Sequence, residues 1–366
     1  MAALDDVLHG RSPALFPVPD GIDRSTLQAL RVDDAIDDDV ALVVTTSGTT
    51  GTPKGALLTA AALTASAAAT HDRLGGPGRW LLALPSYHIA GIQVLVRSLL
   101  AGNTPVELNV SAGFDVGQLP SAVAELGSGR RYTSLVATQL AKALDDPGAA
   151  EALASLDAVL IGGGPAPQSV LDAAASAGIT VVRTYGMSET AGGCVYDGVP
   201  LDGVTLRIDD GRIVLGGPTL AKGYRNPPDP DPFAEAGWFR TDDVGVVDDS
   251  GVLTVLGRVD DAISTGGLTV LPQPVEAALR THPAVADCAV FGLADERLGQ
   301  RVVAAVVLAG GSNPPTLDAL RAHVARTLDP TAAPRELHIV DALPMRGIGK
   351  VDRSALIRLA RAGQMT

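Results

Sequence analysis

The chain has 366 residues, 46% of them hydrophobic, and its 41 acidic and 28 basic residues give a formal net charge of −13. This length is enough for two or three domain-sized units, and the acidic balance argues against partners such as nucleic acid or anionic membranes. The two cysteines, Cys194 and Cys288, are too few and too far apart for a disulfide framework or a zinc site, so a reducing, cytoplasmic setting is expected.

Up to about residue 200, short apolar runs alternate with helical stretches. The helix predicted at 89–102 is the most apolar stretch of the chain, but Gln93 and Arg97 interrupt it, so we expect a buried helix and not a membrane span. Thr59 is a suitable N-cap for an Ala-rich helix. Strands and helices in this alternation favour an α/β domain with much parallel sheet. The other predicted elements are strands at 41–44, 158–161 and 179–183, and helices at 59–70 and 168–177.

The remaining chain predicts two further regions. A small β subdomain is indicated by short apolar runs at 204–208, 212–215 and 252–256, separated by Gly, Pro and Asp turns. An α+β unit follows, with helices at 274–281 and 317–328 and strands at 287–291, 302–308 and 336–340. The predicted fold class is therefore α/β, with a large N-terminal domain of layered sheets and helices at 1–259 and a smaller α+β C-terminal domain at 260–366.

A hydroxyl- and glycine-rich run at 45–55 is the strongest chemical signal in the sequence. Its glycines let the backbone approach a ligand closely, its hydroxyls can donate to phosphate oxygens, and its lysine adds positive charge. A flexible surface turn is the alternative, and a Walker A loop is excluded because no Gly-Lys-Ser/Thr follows the spaced glycine. The predicted phosphate-binding residues are Thr46, Ser47, Gly48, Thr49, Thr50, Gly51 and Lys54.

Further motifs follow this loop in a fixed order: Ser-Tyr-His at 86–88, Tyr-Gly-Met-Ser-Glu-Thr at 185–190, Gly-Trp-Phe-Arg-Thr-Asp-Asp at 237–243, Gly-Arg-Val-Asp-Asp at 257–261 and Gly-Ile-Gly-Lys-Val-Asp-Arg at 347–353. In this order the chain resembles the adenylate-forming superfamily, which includes acyl- and aryl-CoA synthetases, luciferases and peptide-synthetase adenylation domains. The resemblance covers residues 41 to 353. It implies ATP, Mg²⁺ and coenzyme A as cofactors and a carboxylic acid as substrate.

The same resemblance implies a role for each matched residue. Lys350 would carry adenylation and Glu189 would bind magnesium, while Asp260 would be the hinge about which a mobile C-terminal domain turns. The alternatives are a solvated surface charge for Lys350 and a carboxylate at a helix start for Glu189. The expected nucleotide- and CoA-binding residues are Gly163, Gly164, Pro165, Tyr185, Gly186, Ser188, Thr190, Asp243, Arg258, Gly266 and Gly267.

Some positions leave other interpretations open. Tyr185 could stack on a purine or belong to the core, and 162–165 could be an ordinary strand-to-helix turn. The chain departs from the family pattern at Asp242, where Gly is usual, at Ser264, where Lys is usual, and at Pro274, where many members have Glu. Glu276 matches the second acid of that last motif.

The acid-binding region is predicted near His88. Amino-acid-activating members of the superfamily that the chain resembles have an Asp near this position to hold the substrate ammonium, and its absence here argues against an amino-acid substrate. Gln93 and Arg97 are four residues apart and share one helix face, and a buried arginine is costly unless it is paired. A second substrate carboxylate would be such a partner. The alternatives are a buried bridge to Asp or Glu, or a surface arginine; for His88 the alternative to a pocket residue is a core histidine.

This segment, with the short overall length, resembles the o-succinylbenzoate–CoA ligases of menaquinone biosynthesis, whose substrate carries two carboxylates. The expected function is thus formation of an acyl-adenylate followed by an acyl-CoA thioester. Other aryl- or acyl-CoA synthetases, a stand-alone adenylation enzyme and a non-catalytic nucleotide-binding protein are the rival predictions. The oligomeric state stays open, with a homodimer as one option.

Overall fold

The computed structural model describes residues 1–46, 53–346 and 350–365, and contacts among them divide the chain into two compact units. The first unit consists of Met1–Asp209, Val214–Thr241 and Asp248–Leu253. The second consists of Asp210–Ile213, Asp242–Val247 and Thr254–Thr366. The domain boundary expected at residue 260 stays a prediction.

Each helix predicted from the sequence is present, although its ends differ from the predicted ones. Thr59 caps the helix predicted at 59–70, because its hydroxyl accepts a hydrogen bond from the Ala62 amide at 3.1 Å. In the part of the chain that the structure describes, no helix has the length and apolarity needed to cross a bilayer. The helices are α1 Ala2–Leu8, α2 Arg24–Ala29, α3 Ala60–Arg73, α4 Ile89–Leu100, α5 Leu119–Glu125, α6 Ala137–Leu144, α7 Pro147–Ala154, α8 Gln168–Ser176, α9 Pro272–Arg280, α10 Leu317–Val324 and α11 Arg353–Arg361.

The strands are more numerous than the sequence predicts. They are β1 Val40–Thr46, β2 Lys54–Thr59, β3 Arg79–Leu82, β4 Val106–Glu107, β5 Arg131–Val136, β6 Ala158–Gly162, β7 Val181–Met187, β8 Gly192–Tyr196, β9 Val199–Pro200, β10 Thr205–Asp209, β11 Arg212–Gly216, β12 Trp238–Val247, β13 Leu253–Arg258, β14 Ile263–Thr265, β15 Leu268–Val270, β16 Val285–Asp295, β17 Gly299–Leu308, β18 Glu336–Ile339, β19 Met345–Arg346 and β20 Lys350–Val351.

A seven-stranded sheet forms the centre of the first unit. Its order is β4-β3-β5-β6-β7-β8-β9, parallel from β4 to β7 and antiparallel from β7 to β9. Leu81, Leu135 and Val159 of neighbouring strands are buried in one cluster with residues of α5 to α8. Such continuous burial is typical of parallel strands covered by helices. The predicted α/β architecture is confirmed.

A second layer of the first unit contains the antiparallel pair β1–β2. Leu42 and Leu58 of this pair are fully buried against Leu63 of α3 and Ile92 of α4. The sequence predicts β1 and α3 but not β2, since 54–59 lacks the alternation of a half-buried strand. The predicted small β subdomain corresponds to the four-stranded sheet β10-β11-β12-β13, of which β12 was not predicted.

In the second unit, β15-β14-β17-β16 form a sheet to which β18 adds in parallel along β17. The long antiparallel pair β16–β17 has a buried cluster on each face, with Val290 in one and Phe291 in the other. Helices α9 and α10 contribute Leu279 and Leu320 to the first cluster, and α11 contributes Leu356 to the second. The predicted α+β character of the C-terminal region is confirmed.

Candidate active site

Two of the predicted phosphate-binding residues lie at the ends of paired strands. Thr46 ends β1 and Lys54 begins β2, and the two residues are partners in the antiparallel ladder. Both are partly exposed. The other predicted members of this loop, Ser47, Gly48, Thr49, Thr50 and Gly51, lie outside the described residues.

Lys54 belongs to a connected polar group with Tyr224 and Glu189. Its ammonium nitrogen lies 5.2 Å from the centroid of the Tyr224 ring, within the range of a cation–π contact. The Tyr224 hydroxyl donates a hydrogen bond of 2.6 Å to Oε1 of Glu189, which is only 7% exposed. This length is typical of a charge-assisted bond to a carboxylate. The structure thus brings together two residues predicted from different motifs and adds Tyr224, which the sequence analysis missed.

Glu189 lies in a tight turn at Ser188–Thr190, a single turn of 3₁₀-helix. The Thr190 hydroxyl accepts a hydrogen bond from the Met187 amide at 3.0 Å and lies 2.7 Å from the Gly192 carbonyl oxygen, so it stabilises the turn itself. A turn of three residues supplies little helix dipole, which argues against the simple helix-start alternative for Glu189. Ser188 is buried beside it.

The strand that precedes this turn places Tyr185 and Gly186 in β7, opposite β8. A Cβ atom at Gly186 would lie 2.1 Å from the Gly192 carbonyl oxygen, so only glycine fits this close strand pairing. Tyr185 is partly exposed, which argues against a purely core role. Across the sheet, Gly163, Gly164 and Pro165 are exposed directly after β6. Their adenine contacts stay predictions.

The predicted acid-binding residues lie on α4. His88 is the exposed residue immediately before the helix, so the core-histidine alternative is wrong. Gln93 is 1% exposed and donates to the Leu63 carbonyl at 3.3 Å, while its Oε1 has no hydrogen-bond partner within the described ranges. A Cβ atom at Gly192 would lie 3.0 Å from Gln93 Cγ. Gln93 therefore packs against the segment that follows the Glu189 turn.

Arg97, one turn further along α4, is 3% exposed. Its guanidinium lies 4.9 Å from the Trp80 ring centroid, and Nη2 donates to the Tyr196 hydroxyl at 3.3 Å. Across residues 1–46, 53–346 and 350–365, no carboxylate pairs with Arg97, and its Nε has no hydrogen-bond partner. Both structural alternatives for Arg97, a buried Asp/Glu bridge and a surface position, are therefore wrong for the described chain.

The buried charge of Arg97 affects its surroundings. Burial lowers the pKa of Arg97 itself, and the Tyr196 hydroxyl opposes this shift. Burial, and to a smaller extent the positive charge of Arg97, lowers the pKa of His71 to about 4. His71 Nε2 accepts a hydrogen bond of 3.3 Å from the indole N–H of Trp80, which requires the neutral ring. The neutral ring of His71 therefore adds no second positive charge beside Arg97.

In the second unit, Arg258 contacts several of the acidic residues that the sequence analysis singled out. Its Nη1 lies 3.2 Å from Asp243 and its Nη2 lies 3.1 Å from Asp260, the expected hinge. Asp242 is 3.4 Å from Arg258 and also pairs with Arg212. Burial lowers the pKa of Arg258, but the charges of these three carboxylates outweigh it and raise the pKa. Asp242, where the family usually has Gly, therefore places a further carboxylate beside Arg258, whose guanidinium is expected at the ribose.

Gly266 and Gly267 form the two-residue turn between β14 and β15. Both have positive φ angles, +59° and +82°, as a type I′ hairpin turn requires. Gly266 also donates from its amide to the Leu298 carbonyl at 2.9 Å. The turn explains why glycine is needed here, and the pantetheine contact stays a prediction.

Lys350 is exposed at the start of β20, opposite Arg346 in the short β19–β20 pair. Three residues later, Arg353 donates to Glu276 at 2.6 Å and to Asp261 at 3.2 Å. Glu276 is 2% exposed and also accepts the Val290 amide at 2.9 Å. The end of the lysine motif is therefore anchored to the core of its own unit. Residues 347–349 of that motif lie outside the described residues.

The side chains present fit a metal that arrives with phosphate groups. Within the described part of the chain, no cluster of three or more His, Cys, Asp or Glu side chains could hold a metal ion by itself. Mg²⁺ commonly binds proteins through one or two carboxylates plus substrate phosphates. Glu189, a buried carboxylate in the same group as the Lys54 ammonium, suits that mode of binding.

Comparison with known proteins agrees with this arrangement. A model of the AMP-binding enzyme family matches residues 19–225, and a model of the AMP-binding enzyme C-terminal domain matches residues 274–350. The chain is 76% identical over 361 residues to the Mycobacterium tuberculosis protein named "Probable 2-succinylbenzoate--CoA ligase", covering 98% of this chain and 94% of that protein.

Solved structures are similar over most of the chain. The o-succinylbenzoate CoA synthetase (MenE) of Bacillus subtilis in complex with the acyl-adenylate intermediate OSB-AMP has a TM-score of 0.76 and 28% identity, covering 96% of this chain and 80% of that one. The same enzyme in complex with ATP and magnesium ion has a TM-score of 0.73 and 28% identity, covering 93% and 78%. The resemblance inferred from the motifs is confirmed. The chain belongs to the AMP-binding enzyme family and, within it, to the 2-succinylbenzoate–CoA ligases.

Proposed function

We propose that the protein is an AMP-forming acid–CoA ligase that converts o-succinylbenzoate into o-succinylbenzoyl-CoA in menaquinone biosynthesis. Membership of the 2-succinylbenzoate–CoA ligases supports the reaction class and the acid. The observation that carries the choice of acid at the level of residues is Arg97, a buried guanidinium for which the described chain provides no carboxylate.

The reaction must first make a carboxylate reactive. Attack of the acid carboxylate on the α-phosphorus of ATP expels pyrophosphate and gives an acyl-adenylate, a mixed anhydride. The thiol of CoA then loses its proton and attacks the acyl carbon, and AMP leaves. Positioning and charge stabilisation supply most of the catalysis in such phosphoryl chemistry. In our proposal the phosphates are bound by Lys54 with Thr46, Ser47, Gly48, Thr49, Thr50 and Gly51.

The rest of the nucleotide would lie along the later motifs. Tyr185 offers an aromatic face to the adenine, and the main chain at Gly163, Gly164 and Pro165 would line its edge. Asp243 would accept hydrogen bonds from the ribose hydroxyls, with Arg258 holding that carboxylate at 3.2 Å. Gly186, Ser188 and Thr190 would shape the wall near the α-phosphate.

Magnesium would be held by Glu189 together with the phosphates of ATP. Bound there, it would offset negative charge on the departing pyrophosphate. The contact of Glu189 with Tyr224 and, through it, with Lys54 supports a site where cations and phosphates meet.

Adenylation would depend on Lys350, whose flexible ammonium can neutralise charge as it develops. We propose that residues 1–259 and 260–366 are the two domains, and that the second turns about Asp260 to exchange Lys350 for the thiol channel near Gly266 and Gly267. Such reorientation lets one site perform two half-reactions in turn. The anchoring of Arg353 by Glu276 and Asp261 supports movement of the lysine motif with its unit.

The acid would lie beside α4. One carboxylate of o-succinylbenzoate is activated, and Arg97 would bind the other, with Gln93 offering its unpartnered Oε1 and His88 lining the entrance. A carboxylate would give the buried charge of Arg97 its missing counter-ion.

Composition and the state of the cysteines bear on the cellular setting. We propose a cytoplasmic location, supported by two buried free cysteines. Burial raises the pKa of both thiols to about 12, so neither is a reactive thiolate. The net charge of −13 supports the absence of nucleic acid among the partners. A homodimer stays a prediction that sedimentation analysis tests.

A panel of acids tests the proposed function. Purified protein is incubated with ATP, Mg²⁺ and CoA, and AMP and thioester are measured for o-succinylbenzoate, benzoate, a fatty acid and an amino acid. We expect o-succinylbenzoate to give both products with the highest kcat/KM. Preference for another acid would support a different acyl- or aryl-CoA synthetase. AMP without thioester would indicate a stand-alone adenylation enzyme, and ATP binding without either product would indicate a non-catalytic protein.

A further inference from the structure

Residues 222–226, which we call the 222–226 strap, run along β2 and are not assigned to the site by any of the motifs above. The Lys222 amide donates to the Leu57 carbonyl at 2.8 Å, and the Leu57 amide donates to the Gly223 carbonyl at 2.9 Å. The Arg225 amide donates to the Gly55 carbonyl at 2.7 Å. The strap therefore continues the β-ladder on the strand that begins with Lys54.

Asn226, at the end of the strap, binds the backbone on both sides of Lys54. Its Nδ2 donates to the Pro53 carbonyl at 2.7 Å, and its Oδ1 accepts from the Gly55 amide at 3.2 Å. A carboxamide has the same donor and acceptor as a peptide unit, so Asn226 adds one more rung to the ladder. A Cβ atom at Gly55 would lie 2.8 Å from Val43 Cγ1 and 3.2 Å from Arg225 Cβ, so glycine suits the close packing of β2 between β1 and the strap.

Tyr224, in the middle of the strap, contacts both charged groups of the candidate phosphate site. Its ring lies under the Lys54 ammonium, and its hydroxyl donates to Glu189 at 2.6 Å. The ring also packs edge-to-face on Phe233, with centroids 5.4 Å apart. A rigid aromatic ring held in this way restricts the orientation of the carboxylate that it binds.

The remaining side chains tie the strap to the N-terminal segment. Arg225 donates to the Arg31 carbonyl at 2.6 Å and to the Ala35 carbonyl at 2.7 Å, and Lys222 pairs with Asp37 and Asp39 at 2.8 and 2.7 Å. The strap is thus held at several points. It has the fixed backbone that a positioning element needs.

We propose that Tyr224 and Asn226 are positioning residues for adenylation. Tyr224 orients the Glu189 carboxylate, and Asn226 fixes the chain on either side of Lys54, so that the magnesium-binding and phosphate-binding groups keep a constant separation. This inference rests on the proposed roles of Glu189 and Lys54. The strap thereby links the motif at 45–55 with the motif at 185–190, which are far apart in the sequence.

The first test removes only the Tyr224 hydroxyl, in the full-length Tyr224→Phe variant. Titration calorimetry measures ATP binding at a series of Mg²⁺ concentrations and also in EDTA. We expect the Mg²⁺ concentration for half-maximal effect to rise about tenfold, because a charge-assisted hydrogen bond is lost. ATP binding in EDTA should stay within about twofold, because phenylalanine keeps the ring under Lys54.

The matched control is Tyr132→Phe. The Tyr132 hydroxyl is also inside the first unit, where it donates to the Leu74 and Gly76 carbonyls at 3.1 and 3.0 Å. This variant should lose thermal stability without a change in Mg²⁺ dependence. Equal Mg²⁺ dependence in Tyr224→Phe, Tyr132→Phe and the unmodified protein would overturn the proposal for Tyr224.

The second test concerns Asn226 and keeps the proposal falsifiable if Tyr224→Phe does not fold. We expect Asn226→Ala to raise the Kd for ATP about tenfold in EDTA as well as in Mg²⁺, since the position of Lys54 is affected in both. Asn109→Ala removes an amide that, among the described residues, hydrogen-bonds to its own turn at Ser111, and this variant should bind ATP normally. Unchanged ATP binding by Asn226→Ala would overturn the role of Asn226.

Glu189→Gln separates this inference from the function on which it rests. If Glu189→Gln changes the Mg²⁺ dependence of ATP binding and Tyr224→Phe does not, the positioning role is wrong while the metal role of Glu189 stands. If neither variant changes it, the metal role of Glu189 is wrong, and the inference for Tyr224 falls with it. A change in both variants supports the two assignments together.

Discussion

Replacement of Arg97 by methionine should weaken binding of the acid without weakening the fold. Methionine keeps an unbranched side chain against Trp80 but removes the guanidinium. The protein loses a cation–π contact at 4.9 Å and one hydrogen bond of 3.3 Å to Tyr196, together about 2 kcal/mol. It also loses the cost of a buried charge that has no carboxylate partner in the described chain. Exchange of buried charges for apolar side chains is commonly neutral or stabilises by about 1–4 kcal/mol.

Although Arg97→Met should not lower the stability of the fold, it should lower the affinity for the acid. A hydrogen bond between charged groups contributes about 1.5–3 kcal/mol, and each 1.4 kcal/mol is a factor of ten in affinity. If Arg97 binds the second carboxylate of o-succinylbenzoate, Arg97→Met should raise the KM for the acid by about 10- to 100-fold. The KM for ATP should not change.

The assay combines initial rates of AMP formation with thermal unfolding of the same preparation. Arg73→Met is the matched control, because Arg73 donates to the Pro200 and Val199 carbonyls at 2.6 and 3.3 Å and should matter for stability alone. We expect Arg97→Met to keep its Tm with a raised KM for the acid, and Arg73→Met to show a lower Tm with a normal KM. An unchanged KM for o-succinylbenzoate in Arg97→Met would refute the assignment.

Three further predictions concern catalysis, pH and packing. Lys350→Ala should abolish formation of the acyl-adenylate but retain thioester formation from pre-made acyl-adenylate; equal loss of both half-reactions would contradict its role. His71, whose pKa is lowered to about 4 by burial and by Arg97, contributes stability that is complete above pH 6.5 and is lost as the pH falls from about 6.5 to about 4, by up to about 3 kcal/mol. Denaturant titrations should show this loss in the unmodified protein and a smaller one in His71→Gln; parallel losses would argue against it. Gly186→Ala should destabilise by about 2 kcal/mol, because its Cβ would lie 2.1 Å from the Gly192 carbonyl oxygen, and an unchanged Tm would contradict that geometry.

Local chemistry explains which elements the sequence could predict. The strand at 41–44 and the helix after Thr59 were found because an apolar run and an N-cap are properties of neighbouring residues. The strand β2 was missed, since its alternation is broken by Lys54-Gly55 at its start. The helix predicted at 317–328 ends at Val324, and Leu328, the last apolar residue of the predicted pattern, lies beyond the end of the helix.

Long-range contacts explain what the sequence could not give about the site. The spacing of Gln93 and Arg97 predicted a shared helix face, but only the structure shows that Arg97 is buried against Trp80 and Tyr196. Tyr224 was missed because its partner Glu189 is 35 residues away in sequence. The available signal was an aromatic residue after glycine in a loop rich in Gly and Pro, which by itself does not indicate a partner.

We propose above all that this chain holds ATP so that an organic acid attacks its innermost phosphorus. The most direct test is exchange of labelled pyrophosphate into ATP by the purified, folded protein with Mg²⁺ and without CoA. We predict exchange that depends on o-succinylbenzoate and is lost in Lys350→Ala. Absence of acid-stimulated exchange with every acid of the panel would contradict this function.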